Sequence, residues 1–245
     1  MAILLVTGGS AGIGAATARM GATRGYERVI VTYSRDTAGA EAVVQDVEAL
    51  GAKAQAICAD VTDVQAITSL FASIATLPPG PLHLVNNAGI VSPTGALNDL
   101  TPDRVAQVFA VNVFGAIEVA RQAVAYMRAN QGGHIVNISS AAARLGSANQ
   151  YVDYAASKAA IDTFTKGIAD ELAPEGIRVN ALRPGLIETE IHAKGGVPDR
   201  LDKIGHTPPL KRPGTADEVA EGILWLLSDA ASYVTGTTLD ITGGR

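Results

Sequence analysis

The sequence predicts an α/β protein in which a parallel β-sheet is covered by helices on both faces. Short apolar, β-rich runs alternate with longer helical patterns along the whole of the 245 residues, and this alternation is typical of parallel sheets. A glycine-rich turn follows the first apolar run directly, as in nucleotide-binding α/β proteins. No linker or low-complexity segment divides the chain, so we expect a single domain over residues 1–245.

The predicted strands are residues 3–7, 29–33, 54–58, 82–86, 134–139, 178–182 and 238–241. The first run, Ile3-Leu4-Leu5-Val6-Thr7, has the continuous apolar character of a strand buried on both faces. The predicted helices are residues 13–24, 39–50, 64–75, 102–130, 151–173 and 216–228. The irregular stretch at about residues 186–213 contains Gly195-Gly196 and several prolines, and we expect a flexible substrate flap there.

The composition excludes several classes of function. Apolar residues make up 47% of the chain and charged residues 18%, as in compact globular proteins. A formal net charge of −5 gives no electrostatic support for a nucleic-acid partner. No uninterrupted apolar run approaches membrane-spanning length, so we expect no membrane partner, and the N-terminus lacks the basic region of a signal peptide. Because Cys58 is the only cysteine, we expect a reducing, cytoplasmic location.

The glycine-rich turn reads Thr7-Gly8-Gly9-Ser10-Ala11-Gly12-Ile13-Gly14. Glycines allow the backbone to turn sharply and approach a phosphate, and the free N–H groups at a helix start attract its charge. The strict G-x-G-x-x-G fingerprint is absent, so the pattern alone also fits any tight turn between a strand and a helix. Its position after the first strand favours a nucleotide site.

The end of the second strand indicates which nicotinamide cofactor fits. An acidic residue about twenty positions after the glycines would bind the ribose hydroxyls of NAD and repel a 2′-phosphate. Here Tyr33, Ser34 and Arg35 occupy this region, and a hydroxyl with a guanidinium suits the 2′-phosphate of NADP. NADP(H) is therefore favoured. Asp36 keeps NAD(H) possible, and a solvated loop charge is the alternative role for Arg35.

Two further motifs follow the third and fourth strands. Asp60-Val61 offers a carboxylate that could accept a hydrogen bond from the adenine amino group, although Thr62 and Asp63 compete as helix caps. The run Asn86-Asn87-Ala88-Gly89 lies at the carboxyl edge, where open α/β sheets bind ligands. An ordinary strand exit has a similar composition, so this run alone is ambiguous.

Tyr154 and Lys158 stand four residues apart at the start of a predicted helix, and therefore share one helical face. A phenol with a pKa of about 10 is a poor base at neutral pH, but a nearby ammonium favours the phenolate. The pair makes a proton donor and acceptor suited to interconverting an alcohol and a carbonyl. The alternative is that Tyr154 and Lys158 are ordinary surface residues of the helix without a catalytic role.

Together these motifs resemble the short-chain dehydrogenase/reductase family over nearly the whole chain. The residues that carry the resemblance are Thr7-Gly8-x-x-x-Gly12-Ile13-Gly14, Asp60-Val61, Asn86-Asn87-Ala88-Gly89, Asn112, Asn137-Ile138-Ser139-Ser140, Tyr154-x-x-x-Lys158 and Arg183-Pro184-Gly185. The resemblance implies a three-layer, doubly wound Rossmann domain with a seven-stranded parallel sheet. It also implies hydride transfer between NAD(P) and a small-molecule carbonyl or secondary alcohol, and a homotetramer formed as a dimer of dimers.

The resemblance also implies a role for each matching residue. Tyr154 would be the general acid/base, Lys158 would lower its pKa, Ser140 would bind the substrate oxygen, and Asn112 would support a proton-relay water. Ser140 lies fourteen residues before Tyr154, one more than is common, which keeps Ser139 open. The implied cofactor contacts are Gly8, Ser10, Gly12, Ile13, Gly14, Tyr33, Ser34, Arg35, Asp60, Val61, Asn86, Ala88, Gly89, Tyr154, Lys158, Pro184, Gly185, Ile187 and Thr189.

The substrate is less well indicated. Arg144, Asn149, Tyr151 and His192 are candidate polar groups of a substrate pocket; Arg144 suits an anionic or hydroxylated substrate, but a solvated loop arginine is the alternative. The histidines lack metal-ligand spacing, so we expect no catalytic metal. The motif pattern of this sequence resembles bacterial members of the family that act as sugar dehydrogenases and others that act as 3-oxoacyl thioester reductases. A non-catalytic nucleotide sensor is a second hypothesis, and an extended-family epimerase is disfavoured by the chain length.

Overall fold

Parallel strands in the order β3-β2-β1-β4-β5-β6-β7 form the sheet of the computed structural model, which describes residues 2–245 except the side chains of His192 and Lys194. The strands are β1 Ile3–Val6, β2 Arg28–Tyr33, β3 Lys53–Cys58, β4 Leu82–Asn86, β5 Gly133–Ile138, β6 Arg178–Pro184 and β7 Thr238–Ile241. The predicted seven-stranded parallel sheet is confirmed. Strand β6 extends beyond its predicted end because Arg183 and Pro184 pair with Asp240 and Ile241 of β7.

The helices cover both faces of the sheet, as predicted. They are α1 Gly12–Thr23, α2 Thr37–Ala49, α3 Val64–Ala75, α4 Pro102–Phe109, α5 Ala116–Ala129, α6 Ala142–Leu145, α7 Val152–Leu172, α8 Ile191–Lys194, α9 Arg200–Ile204 and α10 Ala216–Leu227. Alternate residues of β1 serve two cores: Ile3 and Leu5 face α3, α5 and α7, whereas Leu4 and Val6 face α1, α2 and α10. This double burial explains why the strand is apolar at every position.

The predicted helix over residues 102–130 is not a regular α-helix. A π-helical segment, Ala110–Gly115, separates α4 from α5. Gly115 packs so closely on the loop between β3 and α3 that an added Cβ would lie 2.6 Å from the main-chain oxygen of Val61. The segment turns Asn112 into the interior, where its side chain is buried. Single π turns within helices are often found at functional sites.

The continuous rod Pro102–Ala129 is long and apolar enough to cross a membrane by length and composition alone. Half of its most apolar window is buried inside the protein. Its apolar residues, among them Val119 and Ala123, pack in the core shared with α3 and α7. A core helix passes the same test of length and composition, so the rod is weak support for a membrane span.

The two ends of the segment predicted to be a flexible flap lie side by side in the fold. Ile187 and Gly214 form an isolated parallel bridge. Between them lie the short helices α8 and α9, whose few residues are below the length that periodicity reveals. The main-chain oxygen of Gly195 accepts a hydrogen bond from the Thr94 N–H, which joins the segment to the loop after β4. Its flexibility stays a prediction.

Candidate active site

Three neighbouring cavities lie at the carboxyl edge of the sheet. A groove of about 600 Å³ is lined by twelve predicted cofactor residues, namely Gly8, Ser10, Gly12, Ile13, Tyr33, Ser34, Arg35, Asp60, Val61, Ala88, Gly89 and Thr189. An inner cavity of about 100 Å³ is lined by Tyr154, Lys158, Pro184, Gly185, Ile187 and Thr189, among others. An outer cavity of about 270 Å³ adjoins it, and Ser140 and Tyr154 line both. The predicted catalytic hydroxyls therefore lie where the two cavities meet.

The glycine loop is shaped for close contact with a phosphate. Gly8 and Gly12 have φ values of +61° and +55°, which favour glycine. Ala11, at the N-cap of α1, makes no side-chain capping bond, so the first amide groups of the helix keep their hydrogen-bonding capacity for an anion. These features fit the pyrophosphate of a dinucleotide.

Gly14 does not line the groove, contrary to its predicted cofactor contact. A Cβ on Gly14 would lie 2.5 Å from the main-chain oxygen of Gly8 and 2.7 Å from Nδ2 of Asn87. Its role is to let α1 pack against the glycine loop. The glycine motif is therefore recognisable from the sequence, but only part of it faces the groove.

Asn86, a predicted cofactor contact, is absent from the lining of the groove. Asn86 is buried, and its Nδ2 donates to the main-chain oxygen of Ala116 and to Oδ1 of Asn137, so its side chain does not reach the cofactor groove. Asn87 lines the groove instead. Its Nδ2 donates to the main-chain oxygens of Thr7 and Gly8 over 2.9 and 3.0 Å. The strand alternation of β4 is the sequence feature that separates the two asparagines.

Asp36 and Asp60, two acidic residues that line the groove, each accept hydrogen bonds from residues that follow them closely in the chain. Asp36 caps α2, because its Oδ1 accepts a hydrogen bond from the Gly39 N–H over 3.0 Å. Asp60 lines the groove, and its Oδ1 accepts from the N–H and the hydroxyl of Thr62. Asp63, rather than Asp60, caps α3. Ser34 and Arg35 are exposed at the groove.

Tyr154 lies in the first turn of α7, with Ser140 opposite it at the end of β5. Burial raises the pKa of the Tyr154 phenol above its ordinary value, and a hydrogen bond with Ser140 partly offsets the rise. Ser139 is buried, and its hydroxyl donates to the main-chain oxygen of Lys158 over 3.1 Å. Ser140 is thus the serine that faces Tyr154, as preferred from the sequence.

Lys158 is buried one helical turn after Tyr154 but is held by the sheet. Its Nζ donates to the main-chain oxygen of Ile138 over 2.8 Å and lies 5.7 Å from the Tyr154 ring centroid. The expected lowering of the Tyr154 pKa by Lys158 is therefore not seen in the protein alone, where burial dominates. Burial lowers the pKa of Lys158 itself to about 8, against the opposing charge of Asp162.

Asp162 is a neighbour of Lys158 that the sequence motifs do not reveal. It lies one turn further along α7, and its Oδ2 accepts from Nη2 and Nε of Arg183 over 2.7 and 2.9 Å. Its Oδ1 is buried and accepts no hydrogen bond from any described group. The negative charge thus stands close to Lys158 and away from bulk water.

Asn112 anchors the loop that follows β4. Its Oδ1 accepts from the Ile90 N–H over 2.8 Å, and its Nδ2 donates to the Ile90 main-chain oxygen over 2.9 Å. The same Nδ2 donates to the Ser157 hydroxyl over 3.1 Å. An added Cβ on Gly89 would lie 3.3 Å from both the Asn112 Oδ1 and the Lys158 Nζ. Asn112 thus lies beside the catalytic candidates, while its relay role stays a prediction.

The outer cavity contains only one of the described substrate candidates. Tyr151 lines it, and its hydroxyl donates to the Gly195 main-chain oxygen over 3.4 Å. Asn149 is exposed outside the lining, with a φ of +58°. Arg144 points away, because its guanidinium donates to the Arg245 main-chain oxygen over 2.6 Å and lies 3.5 Å from Asp240. The His192 side chain lies outside the described residues.

Sequence reasoning missed much of the outer lining, namely Val91, Gln150, Leu186, Ile191, Arg200 and Arg245. These residues are distant in the chain and meet only in the folded protein, so no local pattern indicates them. Among the described residues, no group of three or more His, Cys, Asp or Glu side chains is placed to hold a metal ion. The absence of a catalytic metal stays a prediction.

Comparison with known proteins agrees with this geometry. Residues 8–245 match the family described as "Enoyl-(Acyl carrier protein) reductase". The chain is 47% identical over 248 residues to the uncharacterized oxidoreductase YgfF of Escherichia coli, with 100% of both chains covered.

Two solved structures share the fold. A short-chain dehydrogenase of Burkholderia cenocepacia in complex with NADP has a TM-score of 0.88 and 35% identity, with 99% of this chain and 96% of that chain covered. A 3-ketoacyl-(acyl-carrier-protein) reductase of Brucella melitensis complexed with NADH has a TM-score of 0.89 and 30% identity, with 99% and 97% covered. The chain therefore belongs to the short-chain dehydrogenase/reductase family and is an NAD(P)-dependent oxidoreductase of carbonyl and alcohol substrates.

Proposed function

We propose that this protein reduces a small carbonyl compound with NADPH and that Tyr154 supplies the proton. The observation that carries the proposal is the position of Tyr154 and Ser140, which line both the inner and the outer cavity. The bound nicotinamide would supply the hydride. A substrate carbonyl in the outer cavity would then meet two hydroxyl donors at the boundary between the cavities.

The environment of Tyr154 favours proton donation over proton acceptance. Because burial raises its pKa, the phenol is protonated at neutral pH and can donate to the oxygen of a carbonyl as that oxygen gains negative charge. Ser140 would donate a second hydrogen bond to the same oxygen. Lys158 would hold positive charge behind the pair and contact the cofactor ribose, and Asn112 would keep the adjoining loop in place.

NADPH is proposed over NADH because of the groove beyond β2. Ser34 and Arg35 are exposed there and available to a 2′-phosphate. Asp36, the residue that would favour a free ribose, already caps α2. The alternative function is an NAD(H)-dependent alcohol or sugar dehydrogenase, for which the cap at Asp36 would have to open.

We also propose a cytoplasmic homotetramer. Phe114, in the π-helical segment, has 65% of its surface exposed, and Tyr233, before β7, is fully exposed. The family resemblance implies subunit contacts through the two long helices, predicted at residues 102–130 and 151–173, and through the apolar segment 233–241. Phe114 lies within the first of these surfaces and Tyr233 within the second, and large exposed apolar groups often mark interfaces. Light scattering should therefore give the mass of four 25.1-kDa chains. A monomeric mass would contradict the proposal.

The decisive experiment compares the wild-type protein with Tyr154→Phe. NADPH and NADH binding is measured by fluorescence titration, and carbonyl reduction is followed by cofactor absorbance. We expect Tyr154→Phe to lose about a hundredfold or more in kcat, with the Kd for NADPH essentially unchanged. If neither cofactor binds, the proposed function is wrong. If Tyr154→Phe retains full turnover, Tyr154 is not the proton donor.

A further inference from the structure

We propose that the outer cavity selects carbonyl substrates that carry a carboxylate, which Arg200 and Arg245 bind. The inference rests on the proposed function, since it names the substrate class of the same site. Of the described residues that line the cavity, Arg200 and Arg245 are the charged ones, and no acidic side chain lines it. The cavity therefore combines hydroxyl groups of Ser140 and Tyr154 with two guanidinium groups.

The charge of Arg200 is held at the cavity without being neutralised. Its guanidinium carbon lies 5.2 Å from the ring centroid of Tyr151, a cation–π contact that limits its rotation. Tyr151 is itself buried and bonded to Gly195. The neighbouring Asp199 pairs with Lys203 at 2.6 Å, and Arg200 forms no ion pair within the described part of the chain.

Arg245 is positioned from outside the cavity. Nη2 of Arg144 donates to the Arg245 main-chain oxygen over 2.6 Å, and Arg144 also lies 3.5 Å from Asp240 of β7. Arg245 lines the cavity, and its guanidinium makes no ion pair with a described residue. The sequence indicated Arg144 as a candidate anion ligand. Its guanidinium instead holds the main chain of Arg245, which lines the cavity.

The two arginines lie in a chain that as a whole carries a formal charge of −5. The remaining wall is largely apolar, with Val91, Leu186 and Ile191 among its residues. A carboxylate in such a site makes charge-assisted hydrogen bonds with guanidinium groups, which are stronger than neutral ones. The volume of about 270 Å³ restricts the substrate to small molecules, since sites for drug-sized ligands begin at about 300 Å³.

The test uses para-formylbenzoate and para-formylbenzamide, which have nearly the same size and carbonyl reactivity but differ in charge. We expect kcat/KM with NADPH to be about tenfold or more higher for the carboxylate, as hydrogen bonds to charged groups imply. Arg200→Gln and Arg245→Gln should each reduce that ratio severalfold, because each removes a guanidinium that pairs with the carboxylate and has no charge to pair with in the amide. Arg19→Gln removes the same charge from an exposed pair with Asp46 and should leave the ratio unchanged.

Equal rates for the two compounds in the wild-type protein would overturn the inference. So would a preference for the carboxylate that survives both arginine substitutions. If neither aldehyde is turned over, both are titrated calorimetrically onto the protein with NADP present, and failure of the carboxylate to bind better than the amide again overturns it. Failure of the proposed function is seen separately, in the NADPH titration and in Tyr154→Phe, because neither depends on the charge of the aldehyde.

Discussion

Arg104 of α4 and Asp153 of α7 form a buried, two-point ion pair. Nε of Arg104 lies 2.8 Å from Oδ2 of Asp153, and Nη2 lies 3.1 Å from Oδ1. The Asp153 side chain is 1% exposed and that of Arg104 is 14% exposed. Because Asp153 directly precedes Tyr154, the pair ties the first turn of α7 to α4 and fixes the backbone that presents the proposed acid.

Removing one member of this pair should destabilise the protein strongly. In Arg104→Gln the Asp153 carboxylate would stay buried without its counter-charge, and we expect the free energy of unfolding to fall by about 3 kcal/mol. Urea denaturation measures the change. The double variant Arg104→Gln with Asp153→Asn should recover part of the loss, because no unpaired charge is then buried. Arg19→Gln, in an exposed pair, should cost less than about 1 kcal/mol.

A second buried cluster predicts how stability depends on acid. His83 and His134, on adjacent strands β4 and β5, stack with ring centroids 5.0 Å apart, and Nδ1 of His83 is hydrogen-bonded to the Tyr26 hydroxyl. Burial, together with the charges of His134 and Arg178, lowers the pKa of His83 to about 3. Burial and the charge of Arg178 lower the pKa of His134 to about 4. Both rings are therefore neutral in the folded protein at neutral pH.

The sign of the effect follows from these lowered values. In the unfolded chain a histidine has a pKa of about 6.5. At pH values between about 6.5 and the lowered pKa of the folded state, the unfolded chain therefore binds more protons than the folded chain. Stability should therefore fall as the pH drops from about 6.5 toward 4, by up to about 1.4 kcal/mol per pH unit for each histidine. Urea denaturation at several pH values measures this slope.

The double variant His83→Gln with His134→Gln should show a shallower dependence on pH over the same range. The exposed His206 offers a matched control, because His206→Gln removes an ionisable ring without a buried environment. An unchanged slope in the double variant would contradict the role of this cluster in acid sensitivity.

The strands and the catalytic motif could be predicted from the sequence because each rests on a local pattern. Every predicted strand is present, and β1, which is buried on both faces, is apolar over its whole length. The four-residue spacing of Tyr154 and Lys158 likewise places both on one face of α7. The spacing could not indicate that the Lys158 ammonium donates a hydrogen bond to the main chain of Ile138 in the sheet. It also could not indicate that burial has the largest effect on the pKa of the Tyr154 phenol.

Features that depend on contacts between distant segments could not be predicted. The π-helical segment around Asn112 depends on the close contact of Gly115 with Val61. Arg200 and Arg245 reach the outer cavity from two segments that carry no motif. Conversely, Arg144 has the chemistry of an anion ligand but is engaged by the main chain of Arg245. Residue type alone therefore does not separate the arginines that line the cavity from Arg144, which contacts the main chain.

Arg35→Ala tests the choice of cofactor. The side chain is exposed at the groove, so its loss should leave the fold intact and remove a charged ligand of a 2′-phosphate. We expect the Kd for NADPH to rise about tenfold, equivalent to about 1.4 kcal/mol, with the Kd for NADH unchanged. Arg24→Ala, at the opposite end of α1, removes an equal charge and should change neither constant. An equal loss for both cofactors would mean that Arg35 does not recognise the 2′-phosphate.

Gly14→Ala tests the packing role assigned to this glycine. The new Cβ would stand 2.5 Å from the Gly8 main-chain oxygen, and this backbone atom cannot yield without distorting the glycine loop. We expect about a tenfold or greater weakening of both NADPH and NADH binding, measured by fluorescence titration. Gly167→Ala gives a comparison at a glycine of α7 that has no positive φ and no atom within 4 Å of the added Cβ. Normal cofactor affinity in Gly14→Ala would contradict the close packing.

Asp162→Asn tests whether this carboxylate keeps Lys158 charged. The Lys158 pKa of about 8 reflects burial, which lowers it, and the Asp162 charge, which raises it. Removing that charge should lower the pKa further, so the ammonium loses its proton at a lower pH as the pH rises. We expect the alkaline fall of kcat/KM for reduction to move to lower pH, while the KM for NADPH at neutral pH changes little. Arg183 would retain Asp240 as a partner at 3.6 Å, which limits damage to the fold.

The conservative variant Asp162→Glu should restore the pH profile, and Asp170→Asn, which breaks an exposed pair with Lys166 on the same helix, should leave it unchanged. A merely structural role for Asp162 would lower stability or kcat at every pH without moving the profile. Movement of the alkaline limb in Asp162→Asn alone therefore separates an electrostatic effect on Lys158 from a loss of packing. An unmoved limb would show that the lysine keeps its proton by other means.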